Sequence, residues 1–98
     1  MTRFVVTIKL KPGAEEVVDM HKIWDGLANI DTPGMLAFHA GFDTRRHFAS
    51  NWSFAVVIDF VDMEAFESWF EHPDHIEVTV PVVPYIVETS RVVYEIPG

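Results

Sequence analysis

The stretch WFEHPDH, residues 69–75, joins the end of one predicted helix to the start of another and places two histidines at the junction. Pro73 has no backbone N–H, so it cannot lie inside a hydrogen-bonded helix, but it suits the first position of a new one. We therefore predict that one helix ends near His72 and that a second, short helix begins at Pro73. Aromatic side chains, titratable groups and a helix breaker converge here within a single turn.

The segments on either side of this junction are predicted to pack inward. Asp62 is a suitable N-cap for the preceding helix, because its carboxylate can accept a hydrogen bond from the first turn. That helix has an apolar stripe at helical spacing, formed by Met63, Phe66, Trp69 and Phe70. After the junction, we expect Ile76, Val80 and Val83 to face inward, while Pro81 and Pro84 keep the second helix short.

The rest of the chain supplies four strands and a longer helix. Residues 2–10, 35–43, 52–60 and 87–96 alternate with the period of two that is typical of strands. In the second strand, Leu36, Phe38, Ala40 and Phe42 are predicted to share one face, and Gly41 suggests either a bulge or a close approach of another backbone segment. Residues 14–30 have the apolar spacing of an amphipathic helix. This order predicts an α+β, ferredoxin-like fold, with helices on one face of a four-stranded antiparallel sheet.

The other face of that sheet is predicted to be uncovered and too apolar to meet water alone. It carries Val5, Ala37, Val57 and either Val92 or Tyr94. Two such sheets packed face to face would give a homodimer with the form of a closed α/β barrel. With 98 residues, the chain has the length of one domain, residues 1–98.

Composition narrows the range of partners. The formal net charge of −8 makes nucleic acids and anionic membrane surfaces poor partners. The chain has no cysteine, which excludes disulfides and zinc–thiolate sites. The sequence shows neither a signal peptide nor an apolar run approaching about 18 residues, so we expect a cytoplasmic protein.

Three further groups of titratable residues have two interpretations each. His21 is either a boundary histidine with a packed ring or a polar group that reaches a pocket. His39, on the face opposite Phe38, has a structural or interface role or else a catalytic one. The loop residues Arg45, Arg46 and His47 are either solvated or form a clamp for a carboxylate or enolate.

Residues 52–96 resemble the stress-responsive dimeric A/B barrel family. The resemblance rests on the strand WSFAVVIDF (52–60), the closing strand VVYEI (92–96), and the element His72-Pro73-Asp74-His75, which is similar to the family's His-Pro-x-His signature. It implies a homodimer with a cleft between sheet and helices in each subunit.

One branch of this family consists of polyketide cyclases of the olivetolic acid cyclase type, in which the second histidine of the signature acts as acid and base. That histidine matches His75. The partner tyrosine of these cyclases is replaced here by Trp69, and their pocket histidines on the first and third strands correspond to Phe4 and Phe54. The resemblance therefore implies one working histidine in a more apolar pocket.

The chemistry expected of His75 is that of a base. A position in the first turn of a helix and aromatic neighbours both disfavour the imidazolium, so the ring stays neutral near pH 7 and can take a proton from a carbon beside a carbonyl. In the alternative reading, His72 only caps the new helix and His75 only bonds a backbone carbonyl at the bend. We predict no metal site. The candidate substrate-binding residues are Phe4, Val6, Trp24, Phe54, Val56 and Trp69.

We favour a cofactor-independent enzyme that acts on a hydrophobic, oxygenated small molecule, most simply a polyketide cyclase or isomerase of specialised metabolism with His75 as acid and base. One alternative is a non-catalytic dimeric barrel that binds or stabilises, as a stress-associated protein. Another is a cofactor-free monooxygenase of the antibiotic-biosynthesis type, which oxidises activated aromatic substrates.

Overall fold

A single antiparallel sheet organises the protein, as seen in a computed structural model that describes residues 1–44 and 51–97. The elements are β1 (Thr2–Leu10), α1 (Ala14–Val17), α2 (Met20–Ala28), β2 (Met35–Phe42), β3 (Phe54–Phe60), α3 (Met63–Phe70), α4 (Pro73–Thr79), a 3₁₀ turn (Val83–Tyr85) and β4 (Ile86–Glu95). The strands follow the order β2-β3-β1-β4, which confirms the predicted ferredoxin-like α+β fold.

The core lies between the helices and one face of the sheet. Strand register builds that face: Phe4 lies opposite Ile58 on β3 and opposite Val93 on β4. Ile58 and Phe60 are completely buried. Because side chains alternate along a strand, every second residue of β1 and β3 packs under the helices.

The second strand contains a bulge at Leu36, a position that the sequence pattern did not predict. Met35 pairs with Phe60 and Ala37 pairs with Asp59, so Leu36 is an extra residue on the β2 side. The bulge turns Leu36 outward, where it is 56% exposed, and Met35 packs against the core in its place. The prediction that Leu36 shares a face with Phe38 and Phe42 is therefore wrong. The bulge lies at Leu36 and not at Gly41, and no atom lies within 4 Å of a Cβ built at Gly41.

The predicted helix over residues 14–30 is divided in two. Val18 is extended, with φ −116° and ψ 124°, and the Asp19 carboxylate caps α2 by accepting a hydrogen bond from the Lys22 N–H at 3.2 Å. The two caps considered in the sequence analysis, at Asp62 and His72, are both present. Asp62 accepts from the Ala65 N–H at 2.9 Å, and His72 Nδ1 accepts from the Asp74 N–H at 3.1 Å.

Helix α4 presents a different face to the core from the one predicted, because its packing partner is α2. Gly26 on α2 allows close contact: a Cβ atom there would lie 2.9 Å from Val78 Cγ1. Val78 therefore packs against the core and Val82 is buried. The residues predicted to face inward, Ile76, Val80 and Val83, are largely exposed.

The helix-free face of the sheet combines apolar side chains with one ion pair. Val5 lies opposite Val57 and Val92. Arg3 donates two hydrogen bonds to the carboxylate of Asp59, from Nε at 2.7 Å and from a terminal nitrogen at 3.0 Å. These bonds lower the pKa of Asp59, although its burial acts in the opposite direction.

Among the described residues, no helix is long and apolar enough to cross a membrane.

Two glycines with positive φ provide a test of packing at the start of β2. Gly34 has φ 101°, and a Cβ there would lie 2.8 Å from both Val61 Cγ2 and Ala65 Cβ; Gly13 has φ 81° with nothing within 4 Å. Gly13→Ala should lower the free energy of unfolding by about 1–2 kcal/mol through backbone strain alone. Gly34→Ala should lose roughly 1–3 kcal/mol more through the clash.

Urea denaturation of both variants measures these losses. Equal losses for the two substitutions would contradict the close packing of Gly34 on α3.

Candidate active site

A cavity of about 150 Å³ lies between the sheet and the helices. Its floor comes from β1, β3 and β4, and its walls come from α2, α3, α4 and the segment that leads into β4. Apolar cavities of roughly this volume accommodate a molecule the size of benzene. The space therefore suits one ring or a short chain.

The structure brings all seven residues proposed from the sequence to this cavity. Strand register explains the floor, because Phe4, Val6, Phe54 and Val56 all occupy helix-facing positions. Trp24 comes from α2, Trp69 from α3 and His75 from α4. Their roles in binding and catalysis stay predictions.

Trp69 fixes the relation between three of these elements. Its side chain is 1% exposed, and its indole N–H donates a hydrogen bond to the carbonyl of Leu27 at 3.0 Å. The ring also packs against Phe4 at 5.9 Å and Phe60 at 5.8 Å between centroids. Since the indole N–H already has an acceptor, Trp69 cannot replace the phenol of the cyclase tyrosine as a donor to substrate.

The junction at residues 72–75 aims His75 at the cavity. Pro73 begins α4, and the backbone N–H of His75 donates a hydrogen bond to the backbone carbonyl of His72 at 3.0 Å. The His75 ring packs edge-on against Trp69, 4.7 Å between centroids, and lies 5.2 Å from the ring of Phe70. Two histidines three residues apart thus have different positions: His72 caps the helix, and His75 lines the cavity.

Burial among these rings lowers the pKa of His75 below its ordinary value, and the positive charge of Arg91 acts in the same direction. The imidazole is therefore neutral at pH 7 and can accept a proton. Among the described residues, neither ring nitrogen of His75 has a hydrogen-bond partner in the protein. A neutral, unengaged base in an apolar wall suits proton abstraction from a bound molecule.

Arg91 and Thr89 are cavity residues that sequence reasoning missed. Arg91 lies opposite Val6 and Thr89 lies opposite Ile8, so both β4 side chains are on the helix-facing side. The signal in the sequence was two polar residues, two positions apart, in the closing strand. Because Val92 and Val93 are adjacent, the pattern of apolar residues does not show which face of the closing strand each residue occupies.

The remaining titratable candidates lie away from the cavity or outside the described residues. His21 is exposed, and its ring packs edge-on against Trp24 at 5.0 Å. His39 is exposed on the helix-free face, opposite Val57. The predicted clamp at residues 45–47 lies outside the described residues. Within the described ranges, no three His, Asp or Glu side chains are grouped closely enough to hold a metal ion.

Comparisons with known proteins agree with this architecture. The family model of the stress responsive A/B barrel domain matches residues 3–97. No curated protein matches the sequence significantly.

Solved structures with the same fold have little sequence identity to the chain. A dimeric ferredoxin-like protein from Thermobifida fusca has a TM-score of 0.77 at 22% identity, covering 97% of this chain and 90% of its own. The hydroxynitrile lyase from Passiflora edulis has a TM-score of 0.74 at 18% identity, and the match covers 98% of this chain and 93% of the lyase. A cofactor-independent oxygenase from Streptomyces nogalater has a TM-score of 0.73 at 11% identity, and the match covers 99% of this chain and 93% of the oxygenase. At this identity, the similarity shows the fold alone.

The depressed pKa of His75 can be measured directly. In a histidine NMR titration, the His75 ring should titrate below its ordinary value of about 6.5. Arg91→Gln should raise that pKa, because it removes a nearby positive charge. Lys9→Gln makes the same change in net charge on the opposite face of the sheet and should leave the pKa of His75 unchanged.

The sign of the linked stability change follows. Because the pKa of His75 is depressed in the folded state, its contribution to stability is complete above the unfolded pKa of about 6.5 and is lost as the pH falls through the folded pKa. A His75 pKa at or above 6.5 would contradict the placement of the ring in the apolar wall.

Proposed function

Because the chain belongs to the stress-responsive A/B barrel family, we propose that it is a cofactor-independent enzyme for a hydrophobic, oxygenated small molecule, with His75 as acid and base. The observation that carries this proposal is the position of the His75 ring in the wall of an apolar cavity, where burial lowers the pKa of the imidazole. Cyclisation or isomerisation of a polyketide-like substrate is the reaction class that such a base serves best.

The proposed step is an aldol-type proton transfer. His75 takes a proton from a carbon beside a substrate carbonyl, which forms an enolate and an imidazolium. The enolate carbon attacks a second carbonyl of the same molecule, a carbon–carbon bond forms, and the resulting alkoxide takes the proton back from His75. A positioned base contributes about 10²–10⁴-fold to such a rate.

The rest of the acceleration would come from holding the substrate in a reactive shape. The packed floor of Phe4, Val6 and Phe54 would limit the conformations that a bound molecule can adopt. Trp69 adds shape but no free donor, because its N–H is bonded to Leu27.

Two alternative functions, oxygenation and binding without turnover, can be distinguished from the proposed one by experiment. The oxygenase from Streptomyces nogalater supports, by fold analogy only, a cofactor-free oxygenation of an electron-rich phenol. That reaction consumes oxygen, whereas cyclisation and isomerisation do not. In a purely binding protein, the cavity would take a ligand without turnover.

Proton abstraction can be tested without the natural substrate. The wild-type protein should catalyse exchange of the α-hydrogens of acetophenone, a single-ring ketone, for deuterium in D₂O, followed by NMR. His75→Ala should reduce the catalysed rate by about 10²–10⁴-fold, the share of a positioned base. The melting temperature should stay close to that of the wild type.

A matched variant at the same junction controls for structure. His72→Asn keeps a good helix N-cap and removes only the neighbouring imidazole, so exchange should persist. Equal exchange by His75→Ala and the wild type would reject the role of His75. Oxygen uptake with a phenol, measured by electrode, would favour the oxygenase.

The assembly we propose is a homodimer through the helix-free face of the sheet. The related protein from Thermobifida fusca is described as dimeric. In this chain, Val92 and Tyr94 on that face are 52% and 43% exposed, next to Val5 and Val57. Covering these side chains removes apolar surface from water, which favours association.

Charge introduced at the centre of this face should break the dimer. Val92→Asp would place an unpaired carboxylate in the interface, where desolvation is costly. Val17→Asp adds the same charge on α1, at a residue that is 65% exposed and away from the sheet. Sedimentation analysis at micromolar concentration should show a monomer for Val92→Asp and a dimer for the control; two dimers would contradict the proposed interface.

A further inference from the structure

The charges around the cavity are unlike those of the chain as a whole. The sequence has 15 Asp and Glu residues against 7 Lys and Arg residues. Among the described residues, the cavity lining contains no Asp or Glu, and its one formally charged side chain is Arg91. An acidic protein therefore has a cavity whose local charge is positive.

Arg91 also has no acidic partner among the described residues, whereas Arg3, on the opposite face of the sheet, has one. Arg3 is held by two hydrogen bonds to Asp59. Arg91, two strand positions past Thr89, forms no salt bridge in the part of the chain that the structure describes. Arg91 is an exposed residue that also lines the cavity, so the five N–H donors of its guanidinium remain available to a ligand there.

A second donor lies beside Arg91. Thr89 is on the same face of β4, roughly 7 Å along the strand, and it also lines the cavity. The Thr89 hydroxyl has no hydrogen-bond partner among the described residues. The Thr79 hydroxyl, by contrast, donates to backbone carbonyls of its own helix, His75 at 2.9 Å and Ile76 at 3.1 Å.

We propose that Arg91, with the Thr89 hydroxyl, binds the carboxylate of a small aromatic acid whose ring occupies the apolar cavity. A guanidinium matches the two oxygens of a carboxylate with parallel hydrogen bonds. The cavity volume of about 150 Å³ suits a single ring and leaves the carboxylate at the β4 edge. The proposal names a substrate class for the cavity of the proposed enzyme. The role of this acid as a substrate rests on the proposed function.

The test compares benzoate with benzamide, which has nearly the same shape and no charge. Dissociation constants come from quenching of tryptophan fluorescence, since Trp24 and Trp69 line the cavity. The wild-type protein should bind benzoate about tenfold to a hundredfold more tightly than benzamide, the range expected for hydrogen bonds to a charged group. Arg91→Gln should remove that preference and leave benzamide affinity unchanged.

Two variants make the result specific. Lys9→Gln changes the net charge equally on the other sheet face and should keep the preference for benzoate. Thr89→Val should weaken benzoate binding by a smaller factor than Arg91→Gln does. Unchanged benzamide affinity shows that each variant is folded around the cavity. Equal affinity of the wild type for both probes, or a preference that survives in Arg91→Gln, would overturn the proposal.

The outcome is independent of whether His75 is catalytic. His75→Ala should still prefer benzoate, because the carboxylate contacts come from β4. An Arg91-dependent preference without His75-dependent exchange of acetophenone would identify an acid-binding protein and reject only the proposed enzyme. Exchange without the preference would reject only the role of Arg91.

Discussion

The hydrogen bond from the Trp69 indole to the Leu27 carbonyl joins the end of α2 to the last turn of α3. The same ring packs against Phe4 and Phe60 of the sheet and makes an edge contact with the ring of His75. A large buried ring with a satisfied N–H has little freedom to move. This one side chain therefore links α2, α3 and the sheet at the wall of the cavity.

The orientation of His75 depends on that contact and on the junction that follows it. The His72 cap and Pro73 start α4 at an angle that returns the ring of His75 to Trp69. Arg91 faces the same space from β4 and helps to keep the imidazole neutral. A carboxylate bound by Arg91 would offset that positive charge and stabilise the imidazolium formed when His75 accepts a proton. The two residues thus suit a cycle in which ligand binding makes the base stronger.

Features set by neighbouring residues could be predicted from the sequence, and features set by distant contacts could not. The alternation of β1 and β3, the caps at Asp62 and His72 and the helix start at Pro73 depend on local spacing and local hydrogen bonds. By contrast, the inward face of α4 is decided by the contact of Val78 with Gly26, residues far apart in the sequence. The position of Arg91 is decided by its pairing with Val6 on β1. The sequence does not show this position, because the adjacent Val92 and Val93 leave open which face of the strand each β4 residue occupies.

The rim of the cavity constrains ligands larger than one ring. Arg91 and Thr89 form its polar side along β4, which is an edge strand. Phe70 and Val83 form an apolar side, and they are 38% and 57% exposed although they also line the cavity. If the proposed aromatic acid carried a hydrocarbon tail, that tail would leave the cavity over Phe70 and Val83. Since apolar tails gain roughly 0.8 kcal/mol for each buried methylene, covering this exposed rim would strengthen the binding of such a ligand.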